Sequence, residues 1–225
     1  MRKRPSYTEE VAAKKRPILR RALWVVAGIL FVSGGVVAWL VAPIITADPQ
    51  GLSGQELVVE GYPSSVEATG DDGRTRVLGA TLENAADRGL DRLIAGDRIV
   101  VTGAGYNPDS GIYVAICAVP NALNEKPGPC LGGVPSQTPG ELGNEGAIEY
   151  APSNWINDQW AWRLFGARSF DDRAQGTFSA YIEIPGFADE NVDCRDRPCG
   201  LYTRNDHTAL DDRVQDVYVP IDFVG

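Results

Sequence analysis

This sequence predicts an all-β, antiparallel sandwich preceded by one N-terminal transmembrane helix. Three observations carry that fold class. A basic flank, Met1 to Arg21, runs straight into an uncharged apolar stretch, Ala22 to Ile45. From Gly96 onward, short runs of alternating apolar residues are separated by Gly, Pro, Asn and Asp, the punctuation of a strand-rich domain. All four cysteines, Cys117, Cys130, Cys194 and Cys199, follow the apolar stretch, as in a domain exposed to an oxidising compartment.

The apolar stretch is 24 residues long, and a spanning helix needs roughly 20. Trp24 and Trp39 lie near its ends, where aromatic rings favour the membrane interface. Eight basic residues against two acidic ones precede it. Positive charge holds that end in the cytoplasm, so the expected topology is a single-pass cell-membrane protein with an extracytoplasmic C-terminal domain. The alternative is a cleaved signal peptide, because Ile45-Thr46-Ala47 loosely imitates a cleavage site. Signal cores run only about 7–15 apolar residues, so an uncleaved anchor is expected. Gly34-Gly35 is a weak signal for helix–helix approach.

Beyond the flank, 13 basic residues face 28 acidic ones. A nucleic-acid binder needs a basic stripe to neutralise phosphates, so that class is excluded. The acidity suits solubility or a basic partner. The even number of cysteines predicts two disulfides. Three connectivities exist on paper, and the local one closes short loops and fits the strand reading. A zinc site is disfavoured, since Cys194 and Cys199 are separated by four residues and His207 is the only histidine.

The elements follow in order. Residues 46–75 read as a stalk and hairpin: Pro49, Gly51 and Gly54 punctuate the stalk, and Gln55 to Gly61 is a short strand candidate. Ser65 to Thr69 and Thr75 to Leu82 flank Asp71-Asp72-Gly73, a hairpin turn. Asn84 to Ile94 reads as a loop. Arg98 to Gly103 is a strand, followed by turn chemistry at Gly103-Ala104-Gly105 and Asn107-Pro108-Asp109. Gly111 to Val119 is apolar on both faces, which predicts a central strand covered on both sides. Thr177 to Ile184, Cys199 to Thr203 and Val217 to Phe223 complete the set, the last closing the domain. Short strands with Gly/Pro turns describe a sandwich.

The stretch GDRIVVTGAGYNPDSGIYVAICAV resembles the core of the neocarzinostatin family, the apoproteins that carry enediyne antibiotics. Gly103-Ala104-Gly105 and Cys117 fall at the places of that family's turn and first cysteine-bearing strand. Gly176 to Ile184, Asp193-Cys194…Cys199 and Val217 to Phe223 follow in the family's order. The resemblance covers about Arg76 to Gly225. It implies an immunoglobulin-like sandwich over 76–225, with local pairs Cys117–Cys130 and Cys194–Cys199. It also implies a ligand cleft near the first disulfide, at positions matching Cys117, Cys130, Phe178 and Leu201. Two departures stand out: this chain has an anchor, and it has a long insert, 131–175, where the family has a short connection.

That insert carries Trp155, Trp160, Trp162, Arg163 and Phe165 within eleven residues, WINDQWAWRLF. Trp and Arg are preferred interface anchors, so these residues form a candidate partner or ligand surface. The competing reading is a satellite core folded back over the sandwich. Other clusters point to less. Glu141, Glu145 and Glu149 read as a solvated loop broken by glycines, and Asp189, Glu190, Asp193 and Asp196 as an acidic hairpin without an EF-hand register. Around the serines there is no GxSxG motif, and no phosphate-binding loop occurs. His207, beside Asp206, reads as a polar turn residue. No catalytic residue, cofactor or metal is expected, and the chain is read as a binding module rather than an enzyme. It would dock on another envelope or membrane protein as an accessory subunit. The alternative is a carrier of a hydrophobic small molecule.

Overall fold

The computed structural model describes residues 7–46, 48–83, 87–133 and 150–224. The chain divides into two compact units, one ending at residue 47 and one beginning at Asp48. In the first unit, α1 runs Tyr7–Thr46. Its side chains from Leu23 to Trp39 are all exposed; Trp24 is 77% exposed and Phe31 84%. Among the described residues, no helix is long and apolar enough to cross a membrane. The side chains of Ala22, Leu40 and 43–45, part of the expected span, lie outside the described ones, as do residues 1–6 of the basic flank.

The second unit is a β-sandwich of two four-stranded antiparallel sheets. One has β1 (Ser65–Thr69), β2 (Thr75–Leu82), β3 (Arg98–Ala104) and β6 (Phe178–Glu183) in the order β1-β2-β3-β6. The other takes the order β5-β4-β7-β8, from β4 (Ile112–Ala118), β5 (Ser153–Ile156), β7 (Cys199–Asn205) and β8 (Tyr218–Ile221). Strand β4 is buried at every position, as an apolar run between β5 and β7 must be. The turn at Asp71-Asp72-Gly73 joins β1 to β2, with Thr69 opposite Thr75. The core lies between the sheets and takes one face of each strand: Leu78, Ile99, Val101, Ile112, Ile116 and Leu201 are all fully buried. Gly103 faces Phe178 across β3–β6. A Cβ there would sit 2.0 Å from the phenyl ring, so this glycine makes room for the core aromatic.

Both expected disulfides form, Cys117–Cys130 and Cys194–Cys199. Three expectations about the elements change. Gln55 to Gly61 is not a strand. Instead the Gln55 amide donates to Tyr218 O (2.7 Å) and accepts from Tyr218 N (2.7 Å), so a side chain supplies the rung that a neighbouring strand would have given β8. The expected hairpin forms as β1 and β2, but the residues from Asp48 that precede it are not a separate stalk. They belong to the compact unit, with Leu52 bridged to Arg213. Within the insert, residues 153–156 form β5 and pair with β4. Asn154 there repeats the Gln55 device, donating to Tyr181 O (3.1 Å) and accepting from Tyr181 N (2.9 Å) at the edge of β6. Two side-chain amides thus close two sheet edges, which would otherwise be open to pairing with other chains.

Candidate interaction site around Trp162 and His207

The site is built on the outer face of the β5-β4-β7-β8 sheet. Tyr113 of β4 lies opposite Trp155 of β5 and Arg204 of β7, which aligns three large side chains in one cross-strand row. Asp206, the residue after β7, is fully buried. One of its oxygens accepts from Trp155 Nε1 and Asn157 Nδ2, both at 2.8 Å. The other accepts from Thr208 N (2.8 Å) and Thr208 Oγ1 (2.5 Å). Four donors on one carboxylate compensate its burial. The backbone gives way to it at Gly111, where a Cβ would lie 2.0 Å from Asp206 Oδ2.

This anchor sets the rings. His207 meets Trp162 at 4.7 Å and Trp155 at 5.2 Å, both edge to face, and its Nδ1 lies 2.9 Å from the Tyr113 hydroxyl. Burial, with Asp206 nearby, pushes the Tyr113 phenol up to about 12, so it stays protonated at neutral pH. His207 thus faces a neutral phenol and two indoles rather than an orienting carboxylate, an arrangement suited to packing more than to base catalysis. Helix α2 (Trp160–Arg163) is one turn long and its last turn carries Arg163. It and the turn that follows leave Trp160 65% exposed, Leu164 56% and Phe165 68%. Arg163 is exposed beside them. The Trp162 indole N–H is buried without a hydrogen-bond partner.

The aromatic segment is therefore divided. Trp155 and Trp162 are held against His207, the satellite-core arrangement, whereas Trp160 and Phe165 face solvent. The expected loop is a strand end, a turn and one helical turn. Cys117 and Cys130 lie on the outer face with Tyr202 and Tyr218, but Phe178 and Leu201 belong to the core between the sheets. These four positions do not line one cleft. The space beside the first disulfide is filled by Tyr202 stacked on Tyr218 at 4.7 Å. The cavity by these two rings measures about 20 Å³, room for a single water.

Sequence reasoning missed Asp206 as an organiser, Asn157 and Tyr113 as its neighbours, and a groove beside the second disulfide. Of the acidic residues, Asp189 accepts amides from Gly132, Asn191 and Val192. Burial raises its carboxyl, but those donors prevail and hold it below the usual range. Among the described residues, no group of three or more His, Cys, Asp or Glu is placed to hold a metal ion. Glu141, Glu145 and Glu149 lie outside the described residues. No protein-family model, curated protein or solved structure matches this chain.

Proposed function

We propose that the chain is a membrane-anchored, extracytoplasmic interaction module of the cell envelope. It docks as an accessory subunit on another membrane or envelope protein through its aromatic end. The observation that carries this reading is the Trp160–Phe165 tip: three large apolar side chains, Trp160 on α2 and Leu164 and Phe165 on the turn after it, are exposed together, seated on a ring cluster that Asp206 fixes. An exposed apolar patch on a rigid support marks a contact surface, and Trp is enriched among interface hot spots. The anchor rests on the 24 uncharged residues and their basic flank, together with the exposed apolar side chains of α1. The order of turns, strands and cysteines supports a neocarzinostatin-like, immunoglobulin-like ancestry for the sandwich. The filled space beside Cys117–Cys130 argues against the carrier reading.

The test is site-specific photocrosslinking in native membranes. A crosslinker replacing Trp160 or Phe165 is expected to trap one defined protein, and a crosslinker at exposed Glu67 on β1 is expected not to. Equal adducts from both places, or none from the tip, contradict the reading.

A further inference from the structure

A groove of about 700 Å³ opens beside the Cys194–Cys199 disulfide, far larger than the cavity by Tyr202 and Tyr218. The apolar part of its wall includes Leu57, Val58, Val119, Pro198, Pro220 and Ile221. Val58 is 82% exposed, an unusual place for a β-branched apolar side chain. Arg195 and Arg197 stand on the disulfide loop where it lines the groove. Arg195 already pairs with Asp193 at 2.7 Å. Arg197 makes no hydrogen bond or ion pair among the described residues. Two acids also line the groove; Asp222 accepts from the Tyr62 hydroxyl at 3.1 Å, and Asp196 lies between the two arginines in sequence.

The edge of β8 cannot take a peptide by strand addition. Tyr218 N and O are both engaged by the Gln55 amide, and Pro220, the next residue facing that edge, has no N–H to offer. Recognition must come from side chains and shape. An apolar trough of small-molecule size with an uncommitted guanidinium at its rim, on an otherwise acidic body, fits an apolar tail ending in an anion. We propose that this groove binds a single-tailed amphiphile with a carboxylate head. The tail lies along Leu57 to Val59 and Pro220, and the head meets Arg197. The site shares no residue with the aromatic end, so it stands or falls separately from the docking reading.

The test uses the full chain in nanodiscs of zwitterionic lipid and a long-chain fatty acid carrying a diazirine in its tail. Adducts are mapped by peptide mass spectrometry. The expected labels fall in 57–62 and 194–199. They are expected to drop about tenfold for the methyl ester of the same probe, and about tenfold again for Arg197→Ala with the free acid, the size of one charge-assisted contact. A lysophospholipid with the same tail separates the sources: weak labelling is expected if the carboxylate itself is read. Val58→Asp should abolish labelling while both disulfides and the unfolding midpoint stay intact. Labelling that ignores the ester or Arg197→Ala, favours the lysophospholipid, or falls outside these segments overturns the proposal.

Discussion

The two faces of the β5-β4-β7-β8 sheet are both buried, yet different physics holds each. The inner face carries Ile112, Val114 and Ile116 of β4, Leu201 of β7 and Val219 of β8, all at 0% exposure against the other sheet. The outer face carries Tyr113, Ala115 and Cys117 of β4, Tyr202 and Arg204 of β7, and Tyr218 of β8, covered by loops. Inside, apolar area removed from water is enough. Outside, each polar group needs its own partner: Tyr218 OH donates to Leu57 O at 2.6 Å, and Arg204 Nη1 to Pro127 O at 2.9 Å. That satisfaction is incomplete. Tyr202 OH and Arg204 Nε are buried without partners, and burial pushes the Arg204 guanidinium below its ordinary value. Burial alone therefore does not tell the core from the loop-covered outer face; the count of satisfied polar groups does.

Substitutions can break this comparison on either side. The largest effect is expected on the inner face. Leu201→Ala should cost about 2–5 kcal/mol in denaturant unfolding, the range for a leucine emptied from a tight core. Removing the outer-face disulfide, Cys117→Ala with Cys130→Ala, should cost about 3 kcal/mol, because the bridged residues are 13 apart and a loop near that size sets the entropy. Asp206→Ala should cost about 1–3 kcal/mol. It should also loosen the ring cluster, read as faster exchange of the Trp155 and Trp162 indole protons. If Asp206→Ala left those indoles as protected as before, the organising role would fail.

The smallest effect is a pH signature. Burial pushes the Asp216 carboxyl up to about 6, with Arg213 beside it pulling the other way. An unfolded aspartate titrates near ~3.9, so the fold disfavours the ionised form. The contribution of Asp216 to stability should therefore rise as pH falls from about 7 through 6, and level off below about 4. Asp216→Asn should flatten that rise in urea midpoints measured across the window. An unchanged slope would place the effect on other groups.

How much of this was written in the chain varies with the kind of interaction. The turn at Asp71-Asp72-Gly73 and strands β3, β4 and β6 were legible, since period-two alternation and turn residues are local signals. Strand β8 was legible only in part: the expected Val217–Phe223 is a strand over Tyr218–Ile221, because Asp222 N turns to Leu90 O and Leu93 N to Asp222 O. The edge amides were not legible. Gln55 acts on Tyr218 and Asn154 on Tyr181, partners with no periodic relation in sequence. For the same reason QELVVEG resembled a strand while its decisive group was one side chain. The tip residues Trp160 and Phe165 were visible as composition, but Asp206, which positions the rings beneath them, looked like an ordinary turn residue. Arg197 beside an apolar trough had no sequence signature, because the trough joins four distant segments.

The body is folded around two closed sulfur bridges, and their state in the cell is the point on which the account turns. The direct measurement is acid quenching of intact cells, alkylation of the denatured protein, and intact mass. The account predicts that none of the four cysteines is alkylated until a reductant is added, and all four afterwards. Four alkylated cysteines without reductant would contradict it.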